Sequence, residues 1–258
     1  MIKVVVIGDT HDSPDVPDKS RFGWFAKHIK KVQPDCVVQI GDFVTLDSCT
    51  HWIKDDTYNA RIEKPIFIKE IESMDLAMEE FNYNLGKFKV KKYLTLGNHE
   101  KRMFRKEDAN PSFYGMCQKE FFGICKEYDW DVIPYGKYLM LGGVGFIHAP
   151  INPMGKEYGG EASERQIANK SKIDIVFGHS HRAQDNRVAK ISPVKNDFTR
   201  ILNVGCALPL NHIESYAKHS LTGWTYQICE IKIWDNHIQE VNNISLESLE
   251  KEYGKKKS

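Results

Sequence analysis

Five short apolar runs, each followed directly by side chains that commonly bind metals, constrain this sequence more than any other feature. Runs of this length, bounded by glycine or polar residues, predict buried β-strands. The five predicted strands are Lys3–Ile7, Cys36–Ile40, Lys92–Leu96, Val144–Ile147 and Ile173–Phe177. In the same order, the residues that follow them are Gly8-Asp9-Thr10-His11, Gly41-Asp42, Gly97-Asn98-His99-Glu100, His148 and Gly178-His179-Ser180-His181-Arg182. A pattern repeated at five strand ends predicts one shared site.

Helical patterns lie between several of these strands, which indicates an alternating organisation. The spacing of apolar residues predicts helices over Phe22–Lys31, Ile66–Leu85 and Glu161–Lys170. A sixth strand is predicted over Ile201–Val204, and the segments Tyr226–Trp234 and His237–Val241 are typical of an antiparallel hairpin. Alternating strands and helices predict an α/β sandwich.

The length of 258 residues suits one large domain with its own core. Two segments, at about 43–92 and 101–138, are longer than plain connections and contain their own helices and aromatic residues. Because neither segment is rich in Gly or Ser, we predict that both are insertions on a single domain. The basic end of the chain, at about 250–258, is predicted to be a frayed tail.

Charge and composition exclude several classes of protein. Lysine and arginine together (36) nearly balance aspartate and glutamate (35), which leaves a net charge of +1 and excludes a globally basic nucleic-acid coat or a polybasic membrane binder. The six cysteines form no CxxC pair, and no apolar run approaches a membrane span of about 20 residues. We therefore expect reduced thiols, no membrane partner and a cytoplasmic location.

The strand ends also indicate which chemistry they support. The carboxyl ends of neighbouring strands in an open α/β sheet converge on one crevice, so eight candidate ligands are expected around one point. Carboxylate, imidazole and amide donors without thiolates suit Mn²⁺, Fe or Zn²⁺ rather than a structural zinc cage. Eight ligands are too many for one ion but suit two ions about 3.5–4 Å apart. Such a pair stabilises charge on phosphoryl oxygens and supplies a bridging hydroxide that attacks phosphorus, so the pattern predicts phosphoester hydrolysis.

The ordered motifs resemble those of the calcineurin-like metallophosphoesterase superfamily over roughly residues 1–185, and Leu202-Asn203-Val204-Gly205-Cys206 is similar to its "N-x-G" strand end. The resemblance implies a four-layer α/β/β/α sandwich with a dinuclear site at the carboxyl ends of the strands. It implies that Asp9, His11 and His181 bind one ion, that Asn98, His148 and His179 bind the other, and that Asp42 bridges them. His99 would protonate the leaving oxygen or steady the phosphate. The expected cofactors are two divalent ions, with Mn²⁺ favoured over Fe, Zn²⁺ and Ni²⁺.

One position departs from the family pattern. The family usually has a second Asp three residues after the bridging one, where it orients the histidine equivalent to His99, and this sequence has Thr45 there. Asp47 or Asp12 is a candidate substitute, because orienting an imidazole needs only a nearby acceptor; both are equally well read as surface acids. Arg102 and Arg182 flank two motifs and are candidates either to grip phosphate oxygens or to form surface salt bridges.

The leading hypothesis is a metal-dependent phosphoesterase. Lysine runs and aromatic insertions favour a phosphodiesterase or nuclease, so nucleic acid is a candidate substrate. A phosphomonoesterase and a protein serine/threonine phosphatase are the alternatives, since the same dinuclear centre serves all of these reactions. A hypothesis of another class is a non-catalytic scaffold, and the presence of all eight motif residues argues against it.

Overall fold

The computed structural model describes residues 1–51, 64–158, 160, 162–194, 197–210, 212 and 223–254. Within these residues the strands are β1 (Ile2–Ile7), β2 (Cys36–Gln39), β3 (Lys91–Thr95), β4 (Trp130–Ile133), β5 (Leu139–Leu141), β6 (Val144–Phe146), β7 (Ile175–Phe177), β8 (Ala183–Ala189), β9 (Phe198–Val204), β10 (Gln227–Trp234) and β11 (His237–Ser245). The helices are α1 (Ser20–Val32), α2 (Phe67–Leu85), α3 (Lys101–Ala109), α4 (Met116–Glu127), α5 (Ser163–Lys170) and α6 (Leu246–Tyr253). The mixed α/β class predicted from the sequence is confirmed.

Two sheets are built from these strands. The first has six strands in the order β11-β10-β1-β2-β3-β4, in which β1 to β4 are parallel and β10 and β11 are antiparallel to their neighbours. The second has five strands in the order β5-β6-β7-β9-β8, with a parallel centre formed by β6, β7 and β9. The parallel strands of each sheet therefore place several carboxyl ends on one edge.

Alternating side chains of β1 belong to different hydrophobic clusters, because successive strand residues point to opposite faces. Val5 and Ile7 pack with α1 and α2, whereas Val4 and Val6 pack with strands of the second sheet. A third cluster joins β7 and β9 of the second sheet to α5. One hydrophobic cluster therefore lies between the two sheets, and each of the other two clusters lies between a sheet and helices. The four-layer order stays a prediction.

The six predicted strands, the three predicted helices and the terminal hairpin are all present, and most of their ends differ by only one or two residues. The apolar face predicted for α1 is buried, which explains why the periodicity located this helix well. The sequence did not reveal β4, β5 or β8. β8 is an edge strand with no fully buried residue, so it lacks the apolar run that marks a buried strand.

The two segments predicted to be insertions carry elements that pack with the first sheet. The segment at 101–138 includes β4, which pairs in parallel with β3, so part of it belongs to the first sheet. The segment at 43–92 carries α2, which packs on α1 as the connection between the parallel strands β2 and β3. Its residues 52–63 lie outside the described part of the chain.

The predicted frayed tail at 250–258 is wrong for residues 250–253, which form the last turn of α6. Leu246 and Leu249 are buried at helical spacing, and the hydroxyl of Ser245 accepts a hydrogen bond from the N–H of Ser248 (3.1 Å), so packing and capping hold the helix. Residues 255–258 lie outside the described part. Among the described residues, no helix has the length and apolar character needed to cross a bilayer.

Candidate metal centre

The predicted site residues come from the carboxyl ends of five strands in both sheets. Asp9 and His11 follow β1, Asp42 follows β2, and Asn98 and His99 follow β3 of the first sheet. His148 follows β6, and the loop that carries His179 and His181 follows β7 of the second sheet. Apart from Asn98 and His179, which are partly exposed, these side chains are buried. The cluster therefore lies where the edges of the two sheets meet.

The backbone at four of these positions is left-handed. The φ angles are 41° at His11, 48° at Asp42, 70° at His179 and 58° at His181. Residues other than glycine rarely adopt this conformation, and it persists only where surrounding contacts determine it. Several strained residues close together are typical of a functional site, where the surrounding contacts hold the backbone in an unfavourable conformation.

Two glycines permit the loops to approach one another. A Cβ on Gly97 would lie 2.1 Å from Oδ1 of Asp42, and a Cβ on Gly41, whose φ is +101°, would lie 2.7 Å from Nδ1 of His148. Any larger side chain at either position would displace the carboxylate or the imidazole.

One side of the cluster is formed by Asp9, His11 and His181. The Nε2 of His181 lies 3.1 Å from both Oδ2 of Asp9 and Nε2 of His11. The Oδ1 of Asp9 is buried and has no hydrogen-bond partner among the described residues. A buried carboxylate oxygen without a donor is costly unless a cation binds it, so this corner fits a metal ion.

The other side of the cluster is formed around His148. Its Nε2 lies 3.2 Å from Oδ2 of Asp42 and 3.0 Å from Oδ1 of Asn98, while its Nδ1 contacts the carbonyl of Ile40 at 3.0 Å. Because a carbonyl only accepts, Nδ1 carries the proton and Nε2 faces the cluster. A carbonyl that fixes a histidine in this way is a usual neighbour of a metal-ligating imidazole.

Three groups of potential donor atoms, each within 4.8 Å of one another, lie along the cluster. They are Asp9 with His11 and His181, His11 with Asp42 and His99, and Asp42 with His148 and His179. His11 and Asp42 each belong to two groups, so the groups are contiguous. The donors are oxygen and imidazole nitrogen, and this set fits divalent metal ions.

The electrostatics of the cluster favour a cation at its centre. Burial lowers the pKa of His11 well below its ordinary value, and neighbouring histidines add to this effect, which keeps the imidazole neutral as a ligand must be. Burial also opposes charge on His148, but Asp42 and Asp9 outweigh it and raise the pKa of His148 to about 10. The carboxylates thus attract positive charge strongly, and bound divalent ions would supply it.

His99 belongs to the second of these groups and is held by a main-chain carbonyl. Its Nδ1–H donates to the carbonyl of Thr45 (2.7 Å), and Nη2 of Arg102 donates to its Nε2 (3.2 Å). The Nε2 lies 4.0 Å from Oδ2 of Asp42 and so faces the cluster. Burial lowers the pKa of His99, and Arg102 adds to the effect while Asp42 opposes it.

The hypothesis that Asp12 orients His99 is wrong. Asp12 is completely buried and accepts hydrogen bonds from Lys19 (2.8 Å), Arg21 (3.0 Å) and the hydroxyl of Ser73 (2.6 Å). These partners tie the loop after β1 to α1 and α2. Because the whole carboxylate is engaged there, Asp12 has a structural role away from His99.

The three other candidates, Asp47, Arg102 and Arg182, have different surroundings. Asp47 forms a hydrogen bond with Arg102 rather than with His99, and its charge favours a higher pKa of His99. Arg102 thus contacts both Asp47 and His99. Arg182 instead donates to the carbonyl of Gly160 (2.7 Å), in the loop that precedes α5.

Sequence reasoning gave no role to two acidic residues that border the cluster. Glu100 is completely buried, and its carboxylate accepts the backbone N–H groups of Asp42 (3.0 Å), Phe43 (2.7 Å) and Gly97 (2.7 Å), so it joins the loops after β2 and β3. The sequence signal that could have identified Glu100 is its position directly after His99 in the motif Gly97-Asn98-His99-Glu100.

The second of these residues, Glu157, accepts a hydrogen bond from the hydroxyl of Tyr135, and its Oε2 lies 3.8 Å from Nε2 of His179. Nothing local in the sequence connects these distant residues. The ammonium of Lys101 lies 4.2 Å from the centre of the Tyr135 ring, so this edge of the site combines a carboxylate, a phenol and a cation.

Comparison with known proteins agrees with this geometry at the level of the family. Residues 2–183 match the family described as calcineurin-like phosphoesterase. No curated protein matches the chain.

Among solved structures, the chain is similar to a metallophosphoesterase from Sphaerobacter thermophilus, with 10% identity, a TM-score of 0.45, and coverage of 98% of this chain and 95% of that chain. It is also similar to the phosphoesterase YfcE from E. coli, with 13% identity, a TM-score of 0.37, and coverage of 95% of this chain and 100% of that chain. Wild-type Vps29 of Entamoeba histolytica, complexed with zinc, gives 13% identity and a TM-score of 0.36, with 95% of this chain and 99% of that chain covered.

Proposed function

This chain belongs to the calcineurin-like phosphoesterase family, and we propose that it hydrolyses phosphate esters with two divalent metal ions held at the junction of its two sheets. The observation that carries the proposal is the convergence of five strand ends, which brings donor atoms into three contiguous groups within 4.8 Å. Family membership alone leaves the number of ions open, and the sharing of His11 and Asp42 between groups supports two.

We assign the ligands of each ion from the side chains that lie closest together. Asp9, His11 and His181 would hold one ion, and the orphaned Oδ1 of Asp9 supports this assignment. Asn98, His148 and His179 would hold the other, since Asn98 and His148 already meet at 3.0 Å. Asp42 belongs to the groups on both sides and would bridge them.

When bound, two divalent ions would neutralise charge on the phosphoryl oxygens and make hydroxide available at neutral pH. The chain's own contribution to leaving-group departure is His99. Its Nδ1–H is committed to Thr45, so the proton for the leaving oxygen must be carried at Nε2, on the side facing Asp42. Nη2 of Arg102 donates to that nitrogen. A phosphoryl oxygen would draw the guanidinium away, so that Nε2 would take a proton from solvent and then give it to the leaving oxygen.

We propose phosphodiesters, including those of nucleic acid, as the preferred substrate class. Helix α3 begins two residues after His99 and carries Lys101, Arg102, Arg105 and Lys106. Lysine and arginine beside the reacting centre suit a polyanionic chain that extends beyond the cleaved bond. For the metal we propose Mn²⁺, with Fe, Zn²⁺ and Ni²⁺ as alternatives, because the donors are carboxylate, amide and imidazole.

The test is a hydrolysis panel on metal-depleted protein supplied with Mn²⁺, Zn²⁺ or Ni²⁺. The substrates are an aryl phosphomonoester, an aryl phosphodiester, cyclic nucleotides, a phosphoserine peptide, and single- and double-stranded DNA and RNA. The variants are Asp42→Asn and His99→Ala, with Asp174→Asn as the matched control. Asp174 is equally buried, but it lies at the opposite end of β7 and accepts N–H groups of Arg200 and Ile238.

We expect metal-dependent hydrolysis that Asp42→Asn and His99→Ala lose and Asp174→Asn keeps. A diester preference above about tenfold, equivalent to about 1.4 kcal/mol in barrier, supports the proposed substrate class. An equally strong preference for the monoester or the phosphopeptide overturns that class in favour of a phosphatase. Equal rates in the wild type and both site variants would overturn the proposed mechanism and favour a non-catalytic scaffold.

A further inference from the structure

The segment that holds His99 has a conformation that needs support of its own. Leu46, directly after Thr45, is left-handed, with φ 47° and ψ 43°, and its side chain is completely buried. L-residues rarely adopt this conformation, so neighbouring contacts must hold the turn in place. The position of the Thr45 carbonyl depends on that turn.

Glu70 of α2 supplies such contacts. Its Oε1 accepts hydrogen bonds from the hydroxyl of Thr45 (3.2 Å) and the N–H of Asp47 (2.7 Å), and its Oε2 accepts one from the N–H of Ser48 (3.1 Å). One carboxylate thus engages residues on both sides of Leu46. The side chain is completely buried.

Burying a carboxylate is unfavourable unless hydrogen bonds or opposite charges compensate for the lost hydration. Burial raises the pKa of Glu70, and the hydrogen bonds from Asp47 and Ser48 oppose this rise. An apolar residue at this position of α2 would avoid the cost of burial but would leave the turn without its acceptor.

The turn in question controls two groups at the site. The carbonyl of Thr45 accepts both the Nδ1–H of His99 (2.7 Å) and an N–H of Nη1 of Arg102 (2.9 Å). A rotation of the Thr45 peptide would therefore release the imidazole and the guanidinium together.

We propose that Glu70 is a positioning residue, which fixes the 45–48 turn so that the Thr45 carbonyl orients His99 toward the leaving group. The inference rests on the proposed function, because it assigns Glu70 to the proton-donating half of that reaction. It identifies what replaces the carboxylate that the family usually has at the position of Thr45: a main-chain carbonyl, held by a carboxylate from a neighbouring helix.

The test separates proton donation from general damage. Rates are measured for aryl phosphate esters whose leaving phenols range from strongly acidic (2,4-dinitrophenol) to weakly acidic (phenol), in the wild type, Glu70→Ala, Glu70→Gln and the control Asp174→Ala. Strongly acidic phenols leave without a proton, whereas weakly acidic ones need one. General acid catalysis contributes about 10²–10⁴-fold, and a misplaced acid forfeits part of it.

For Glu70→Ala we expect kcat to fall at least about 30-fold on the phenyl ester and less than about threefold on the dinitrophenyl ester. Glu70→Gln, which keeps the shape and one acceptor oxygen, should restore part of the loss. Asp174→Ala removes a buried carboxylate that also accepts two backbone N–H groups, and any loss it causes should be equal across the series. Bound metal, counted by mass spectrometry, should be unchanged in Glu70→Ala.

The proposal is overturned if the Glu70 variants slow every ester equally or leave every ester unaffected. Should Glu70→Ala not fold, Glu70→Gln decides the question, because it must still show a smaller loss that increases with the basicity of the leaving group. A wild type that hydrolyses no ester with any metal overturns the proposed function instead, so the two failures are distinguishable.

Discussion

The backbone carbonyl of Thr45 accepts a 2.7 Å hydrogen bond from the Nδ1–H of His99. This contact fixes the tautomer of the imidazole, because a carbonyl cannot donate. It also leaves Nε2 as the nitrogen available on the side of the metal-ligand cluster. A main-chain acceptor cannot be removed by changing its side chain, which distinguishes this arrangement from one built on an aspartate.

The first prediction concerns that distinction. Thr45→Ala removes only the hydroxyl that bonds Glu70, and kcat should change by less than about tenfold, or about 1.4 kcal/mol in barrier. His99→Ala removes the imidazole itself, and kcat on a phenyl ester should fall by about 10²–10⁴-fold. Steady-state kinetics on the metal-loaded protein measure both values. Comparable losses in the two variants would show that the side chain of Thr45, rather than its carbonyl, governs His99.

The second prediction concerns the contact between the loops after β2 and β3. In Gly97→Ala, the new Cβ would lie 2.1 Å from Oδ1 and 2.6 Å from the N of Asp42, so the proposed bridging carboxylate must move. A displacement of about 1 Å at a reacting centre costs about 10²-fold in rate, and we expect a loss of at least this size together with fewer bound ions. Activity assays and metal analysis of the purified variant check both.

Gly123 provides the matched control. It lies inside α4, and a Cβ added to it would have no heavy atom within 4 Å. Gly123→Ala should keep full activity and raise the free energy of unfolding by about 0.5–1 kcal/mol. Full activity in Gly97→Ala would mean that Asp42 tolerates displacement and does not bridge the ions.

How far the sequence predicted the fold depended on the length and burial of each element. β1 and β2 are dominated by short apolar runs, and α1 has a clear apolar stripe, so the sequence pattern located them well. β4 has a single fully buried residue, and β8 has none, so neither differs enough from a loop. The helix α6 has only eight residues, and its identity depends on a cap and two leucines that are not conspicuous alone.

The candidate metal ligands were easier to predict from the sequence than the groups that hold His99 in place. Asp9, Asp42 and His148 follow apolar runs directly, so the sequence placed them at strand ends. The residue pattern did not show which strand end belongs to which sheet, since that depends on pairings such as β6 with β7. The acceptor for His99 is a backbone atom, which no residue letter encodes, and Glu70 reaches the turn from a helix that begins more than 20 residues later.

The third prediction concerns metal removal. Metal-free protein should melt at a lower temperature than protein with Mn²⁺ at 100 times its dissociation constant, because such binding stabilises the folded state by about 2.7 kcal/mol. For a chain of this size the difference corresponds to about 5–10 °C, measurable by differential scanning fluorimetry. Asp42→Asn should lose most of the shift.

Calcium is the control for this experiment, because it prefers sites built entirely of oxygen and the cluster contains several imidazoles. We expect it to raise the melting temperature much less than Mn²⁺ does. An equal rise with calcium would indicate binding at surface carboxylates rather than at the cluster.

The fourth prediction concerns Asp12, whose role the structure reassigns from the site to the core. Its carboxylate is completely buried between Lys19 and Arg21, and Asp12→Ala would leave both cations without it. Removing one partner of a buried ion pair costs about 3–5 kcal/mol, so the urea midpoint should fall steeply. The exposed pair Lys69–Glu72 gives the contrast, because Glu72→Gln should change the free energy of unfolding by less than about 0.5 kcal/mol. Activity per folded molecule should persist in Asp12→Ala at temperatures well below its transition. A variant that unfolds like the wild type but loses turnover would return Asp12 to the site.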